Sequence, residues 1–403
     1  MSRNYFGQRQ GIVSALLGCP PTLDCCHATN AATPSREGTW IMRFRGHVHG
    51  FARLVSGLAI ATMVIPGAVT AQTAVADANL ESVKAYLVEH VGKSKAGTAK
   101  VLTQAERYYD LAETSGFNYQ SLWDANGPEI ATLLADARQA WAEGASANYE
   151  LSEGLVAGVP SLAYYDVWID AGPSGADDPI NALDVSVELP DGRVLEKPGS
   201  LYHYITEPVL WGTNDEFVGL RVDMDGDGTI ELGEAMPEAN ALLGGALALD
   251  AATGELEQAV EAWQPTPGDA FTALVIMIPT MSGYFEEWKE SVFVTGQQSD
   301  EGRFVGVSRL ADVAGILHGL DVTYANIQPA VAAADPALAE QIKVELGDLV
   351  AFVENLRDQE SAGTEFTSEQ ADQFGSELQS RATGIAGQIT QAAALLAIPI
   401  QDA

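Results

Sequence analysis

An all-α fold, a helical bundle interrupted once in its middle, is what this 403-residue sequence predicts. Two observations carry that reading. Beyond residue 78, apolar side chains recur at spacings of three and four through most of the chain. Strand-like alternation is confined to one short stretch near 185–197.

Taken in order, residues 78–115 place Leu80, Val83, Tyr86, Leu87 and Val91, then Val101, Leu102, Ala105, Tyr108, Tyr109 and Leu111, on a helical period. This reads as a hairpin of helices stopped by Gly116. A second helical segment runs from about Glu129 to Leu155 through Leu133, Leu134, Ala137, Trp141 and Tyr149, and Gly158-Val159-Pro160 ends it. The stretch VSVELPDGRVLE alternates about Pro190-Asp191-Gly192 and predicts a short β-hairpin. Helical signal returns at 238–262, then from Ala270 to Val292, where Pro279 should kink or interrupt the helix. Two amphipathic helices near 308–332 and 336–357 are split by Asp335-Pro336, and a last one spans Ser368 to Leu396.

The front of the chain reads as a targeting segment. From Met42, basic Arg43, Arg45 and Arg53 precede an apolar run from Leu54 to Val69, and Val69-Thr70-Ala71 offers small residues for cleavage. That is the layout of a secretory signal peptide, too short and wrongly flanked for a membrane span. The expected organisation is therefore a dispensable 1–71, comprising an upstream extension and the signal, followed by a helical domain over 77–403. A periplasmic or secreted product follows, with no membrane insertion of the mature chain. Cys19, Cys25 and Cys26 all precede the signal, so the exported chain would have neither disulfide nor thiol chemistry.

Six of the 21 basic and two of the 55 acidic residues fall in 1–71, leaving 15 and 53, a net charge of −38 with histidine neutral. Such a field repels nucleic acid and anionic membranes and attracts cations. Only His90, His203 and His318 remain, so a metal site would be built mainly from oxygens, which suits calcium, manganese and iron better than copper or zinc.

The best-specified chemistry is DMDGDGTIELGE. Asp223, Asp225 and Asp227 occupy positions 1, 3 and 5 of a twelve-residue loop, with Gly228 at 6, Thr229 at 7, Ile230 at 8, Glu231 at 9 and Glu234 at 12. A hard cation wants six to eight oxygens, and a wrapping loop offers one side chain at every second residue. The glycine permits the sharp turn, position 7 offers its carbonyl, and the last glutamate closes the shell. This is the EF-hand calcium pattern. An acidic surface turn is the competing reading, and charge alone does not place the glycine, isoleucine and glutamate.

Just upstream, SLYHYITEPVLWGT resembles the signature of imelysin-like proteins, which include periplasmic iron-uptake proteins of the EfeO type and the M75 peptidase group. His203, Glu207 and Leu210-Trp211-Gly212 match its components. The stretch from Ser308 to Leu356, with its Asp-Pro break, resembles the later helix pair of that family. The resemblance implies a bundle of two related halves, secretion and metal binding. Leu201 stands where the family has glycine, and three residues rather than two separate the histidine from the glutamate. Three- and four-residue spacings share one helix face, and a π-bulge could absorb the extra residue. The hairpin and calcium loop at about 185–235 form an insertion that the family pattern lacks.

His203 and Glu207 are the leading ligand pair, and Glu150 and Glu153, three apart on a helix, are the supporting carboxylates; an exposed acidic face is the alternative for the latter. Tyr164, Tyr165, Asp166, Asp170, Glu286 and Glu287 are further oxygen donors to consider, while His318, Tyr108 and Tyr109 read as packing residues and Glu113 as a solvated acid. Zincin, phosphate-loop and nucleophile-elbow motifs do not occur, so enzyme function is not the favoured reading. The expectation is an exported protein that binds iron and hands it to an inner-membrane permease, with calcium bracing the insertion. An M75-type metallopeptidase using His203 and Glu207, and a calcium-dependent binding or adhesion module, are the alternatives.

Overall fold

Asn118 caps a helix that the sequence pattern places ten residues too late. Its side chain accepts from Ser121 N, and the helix α2 runs Tyr119–Gln139 with Pro128 inside it. The structure, a computed structural model, describes residues 77–401 apart from 297, 298, 300 and 301. The signal segment, the upstream extension and the three cysteines lie outside the described residues.

The helix α1 is Leu80–Thr114, one unbroken element rather than the expected hairpin. Gly116 does stop it, at φ 65°. Within α1, Gly97 is needed for close approach: a Cβ there would stand 2.3 Å from the backbone nitrogen of Ala145. The apposed segment is a π-helical turn, Ala140–Ser146, which joins α2 to α3, Ala147–Val156. A short α4, Ala163–Asp166, passes directly into a second π-turn, Val167–Ala171.

Two short antiparallel ladders follow. β1 (Ser186–Glu188) and β2 (Val194–Glu196) pair antiparallel across the Pro-Asp-Gly turn, as the alternation predicts. A third π-turn, Leu201–Thr206, leads into α5, Glu207–Trp211. β3 (Val218–Arg221) and β4 (Ala235–Pro237) then pair antiparallel, so the 223–234 loop joins two strands and has no helix on either side.

Long helices return with α6, Ala239–Ala262, and α7, Pro267–Glu290. Thr266 and Asp269 form a capping box at the start of α7, and Pro279 does not interrupt it. Proline forfeits one backbone bond, and the apolar face of α7, with Phe271, Leu274, Ile278, Met281 and Phe285 buried, holds the rest in place. A single turn α8 (Val292–Thr295) precedes α9 (Arg309–Ala334), α10 (Pro336–Ser361) and α11 (Ser368–Leu395).

The buried apolar residues fall into two clusters. One unites α1, α2, α3 and α6; the other unites α7, α9, α10 and α11. This is an all-α bundle of two halves. Each buried Leu, Ile or Phe contributes about 1.5–3 kcal/mol by leaving water. The halves meet where α3 crosses α9 almost backbone to backbone: a Cβ on Gly319 would lie 2.4 Å from the Leu151 carbonyl oxygen. That crossing brings acids of the first half beside charged residues of the second.

Candidate metal centre

Three π-turns border one polar centre. In Leu201–Thr206, the following Pro208 has no N–H to continue an ordinary helical ladder. The Glu207 N–H instead reaches back to Tyr202 O. The Thr206 hydroxyl donates to Leu201 O at 2.8 Å and accepts from the Trp141 indole at 2.8 Å. Trp141 lies in the Ala140–Ser146 turn, so two π-turns are bonded to each other. Glu207 stays helical, at φ −65° and ψ −53°, despite the proline after it. Widened turns of this kind re-aim side chains and recur at functional sites.

The re-aimed residue is His203, 5 % exposed. Its Nδ1 lies 2.8 Å from Glu207 Oε2, and its Nε2 lies 3.0 Å from Asp170 Oδ1. Glu207 is wholly buried, and a strap of backbone consumes what remains of its carboxylate. Phe304 N donates to Oε2 at 2.9 Å, while Val305 N and Gly306 N donate to Oε1 at 2.8 Å each. Phe304 adopts φ 56°, a left-handed conformation that is strained for a side chain of this size. Its ring packs on His203 at 4.5 Å between centroids. Gly306 is required because a Cβ would meet the Trp211 ring at 2.7 Å.

Beyond Asp170 lie Glu150 and Glu153 of α3. One carboxylate oxygen from each of Glu150, Glu153 and Asp170 falls within 4.8 Å of the others, and all three side chains are buried. Among the described residues no donor reaches either oxygen of Glu150, Oε2 of Glu153 or Oδ2 of Asp170, and Glu150 and Glu153 lie against each other. Tyr284 of α7 donates to Glu153 Oε1, and Tyr149 donates to Asp166 Oδ1 at 3.0 Å. Asp312 of α9 accepts from Arg309 Nη1 at 2.9 Å.

The charge balance is unusual. Glu150, Glu153, Asp166, Asp170, Glu207 and Asp312 are all buried around His203 and Arg309, six acids against two bases. Burial, then the charges of Asp312 and Glu153, push the Glu150 carboxyl well above the usual range. Burial and Glu153 do the same to Asp166. Desolvation opposes the charged form of His203, yet Asp170 and Glu207 hold its pKa at about 9. Against the same desolvation, the His203 charge keeps Asp170 low, and the hydrogen bond from His203 keeps Glu207 low. Unpaired buried carboxylate oxygens are costly, and a hard cation with oxygen ligands is the partner they fit.

The expected residues thus sort themselves. Glu150 and Glu153 converge with Asp170, and His203 joins that group only through its contact with Asp170. Glu207 points at His203 and the strap. Asp166 is buried behind Tyr149, whereas Tyr164 is exposed and Glu286 pairs with Lys289 at the surface. Glu287 binds Arg309. His318, read as a packing residue, is exposed on α9, and Glu113 is solvated. Tyr108 is core, its hydroxyl on Pro237 O. Arg309, Asp312 and Tyr284 are additions that sequence reasoning missed. The available signal was a charged pair three apart at the start of an otherwise apolar helix.

In the 223–234 loop, Asp223, Asp225 and Asp227 bring oxygens within 4.8 Å of one another. Glu234 folds back so that Oε1 accepts from Met224 N and Oε2 from Glu231 N. Thr229 donates its hydroxyl to Asp227, and Glu231 is exposed. Gly233 N donates to Trp211 O, which ties the loop's end to α5.

A cleft of about 190 Å³ reaches the centre, lined by Asp170, His203, Tyr204, Tyr284, Arg303 and Arg309 among others. A wider groove of about 430 Å³ beside Trp211 and Leu232 has neither carboxylate nor histidine among the described residues of its lining. Chemistry selects the smaller one. Among the described residues, no helix is long and apolar enough to cross a membrane.

The family model for imelysin, the M75 peptidase family, covers residues 96–392, well over half of the chain. No curated protein matches.

Proposed function

We propose, on the premise that this chain belongs to the imelysin family, that it binds iron between its two helical halves. Glu150, Glu153 and Asp170 would supply carboxylate oxygens and His203 would supply Nε2. The observation that carries this reading is the set of buried oxygens on Glu150, Glu153 and Asp170 that no donor reaches among the described residues. The chain's own residues prepare the site. Glu207, fixed by three backbone N–H groups, would hold the proton on His203 Nδ1, so that a cation displacing the proton between Nε2 and Asp170 would meet Nε2. Arg309 and the two rings beside it close the outer side.

Family membership points to metal-related or peptidase-like function. The peptidase alternative needs Glu207 as a base, and its carboxylate oxygens are already occupied by four hydrogen bonds. We therefore favour cargo binding: an exported protein that passes iron to an inner-membrane permease. The 223–234 loop would take calcium through Asp223, Asp225, Asp227, the Thr229 carbonyl, Glu231 and Glu234, as a brace for α5. The negative net charge draws cations toward the molecule.

The test is iron titration of chelator-stripped protein with calcium saturating. Stoichiometric binding at micromolar iron, lost in Glu150→Gln/Glu153→Gln, supports the proposal. No binding at that concentration rejects it.

A further inference from the structure

Trp211 ends α5 one helical turn after Glu207. Its carbonyl accepts from Gly233 N at 3.2 Å, at the close of the 223–234 loop. Gly233 adopts φ 89°, and a Cβ there would stand 3.7 Å from Trp211 Cδ1 and 3.8 Å from Arg138 Cζ. Arg138 of α2 clamps the junction: Nε donates to Leu210 O at 2.8 Å, and Nη2 donates to Gly233 O. Gly212, at φ 69°, has no room for a Cβ, which would fall 2.4 Å from Cβ of Ala235. The loop is therefore fastened to the end of α5 on both sides of Glu234.

The ring of Trp211 touches the parts that hold His203. A Cβ on Gly306 would meet it at 2.7 Å, and Gly306 N donates to Glu207 Oε1 at 2.8 Å, with Glu207 Oε2 2.8 Å from His203 Nδ1. The same ring meets Trp141 edge-on, 5.3 Å between centroids. The Trp141 indole N–H in turn holds Thr206, in the π-turn that carries His203. Two chains of contact thus run from one side chain to one histidine.

Glu234 is where the loop can act on this junction. Its Oε1 accepts from Met224 N at 2.8 Å and Asp225 N at 3.2 Å, and its Oε2 from Glu231 N at 2.9 Å. A cation in the loop takes both oxygens. Seating it re-aims the one side chain whose neighbours, Gly233 and Ala235, grip α5. Burial pulls the Arg138 guanidinium down to about 10 against the charge of Glu234, so the clamp feels this carboxylate.

We propose that Trp211 is a positioning residue for the buried centre and that the loop regulates the centre through it: calcium at 223–234 tightens metal binding at Glu150, Glu153, Asp170 and His203. This rests on the two metal sites proposed above and adds a coupling between them. Its basis is preorganisation. A held Trp211 fixes the strap and the π-turn before the metal arrives, so less ordering remains to oppose binding. Linkage makes the effect reciprocal, each metal raising the other's affinity by the same factor.

The experiment titrates Fe²⁺ under argon into the metal-stripped full chain, with and without saturating Ca²⁺, and then Ca²⁺ with and without iron loaded. Calcium should lower the iron dissociation constant about tenfold, and iron should lower the calcium constant by the same factor. Glu234→Gln should make iron binding insensitive to calcium. Trp211→Phe should shrink the factor to less than about threefold. Arg138→Lys, which cannot bridge the Leu210 and Gly233 carbonyls, should act likewise. Melting curves check that the variants fold, and a merely structural loss would lower both affinities while leaving the factor unchanged. Equal iron affinity with and without bound calcium overturns the regulation and leaves the centre standing; so does an undiminished factor in both Trp211→Phe and Arg138→Lys, or iron binding with no calcium binding at all. No iron binding under either condition overturns the centre itself, and the coupling with it.

Discussion

His203 and Glu207 stand four residues apart in sequence, and the π-turn between them sets their side chains 2.8 Å apart. The carboxylate takes Nδ1 and three backbone N–H groups from 304–306, nearly a hundred residues further along the chain. One glutamate therefore ties the histidine of the first half to the strap leading into α9. Its role is to orient and to hold a proton, and the ligating oxygens come from elsewhere.

Glu207→Ala should consequently hurt twice. Three backbone donors and a charged histidine lose a buried partner, a loss of about 3–5 kcal/mol. Metal affinity should fall about 10- to 100-fold, the usual cost of removing a group that orients a ligand. Thermal unfolding and metal titration of the same preparation measure both. A variant that melts like the parent would contradict the tie between His203 and the strap.

Metal-free protein should lose stability as pH rises. Burial and neighbouring acids raise Glu150 and Asp166 above their unfolded values, and burial lifts Asp312 to about 6 even though Arg309 opposes it. A raised folded pKa means the folded chain holds the proton more tightly, so this stability is full below the unfolded value and fades through the folded one. His203, at about 9, acts in the same direction. Asp170 and Glu207, held low by His203, contribute stability that is lost only in acid, as pH falls below their unfolded values. Chelated protein should melt highest near about pH 5 and lower toward about pH 9, with bound metal flattening the slope. A melting temperature that climbs with pH in the absence of metal would refute the buried excess of acid.

Gly97 and Gly347 make a matched pair. Gly97→Ala drives a Cβ into the backbone of the Ala140–Ser146 turn, and overpacking of this kind costs about 1–3 kcal/mol. Gly347 sits exposed in α10 with open space around it, so Gly347→Ala should gain about 0.5–1 kcal/mol from helix propensity. Denaturant melts of the two variants should move in opposite directions.

Calcium should raise the melting temperature of the parent and do little for Glu234→Ala, because Glu234 closes the loop whose end is bonded to Trp211. Equal responses of the two proteins to calcium would remove Glu234 from the loop's function.

Most helices were legible, because the core of each half needs an apolar stripe and the stripe is written at three- and four-residue spacing. The errors have causes. The hairpin expected over 78–115 is one helix, in which Gly97 serves an inter-helix contact rather than a turn; Pro279, expected to kink or interrupt its helix, is carried through by the packed face of α7. His203, Glu150 and Glu153 could be picked out because local spacing and the family signature mark them. Arg309, Asp312, Tyr284 and the 304–306 strap could not, since they reach the centre only through the crossing of α3 and α9. No local pattern encodes a crossing.

The most direct measurement is anomalous diffraction at the iron edge from crystals of calcium-saturated protein loaded with ferric citrate. A single strong peak bounded by Glu150, Glu153, Asp170 and His203 Nε2, absent in Glu150→Gln/Glu153→Gln, is the expected result. A peak only in the 223–234 loop, or none between α3 and α9, would contradict iron binding at the centre.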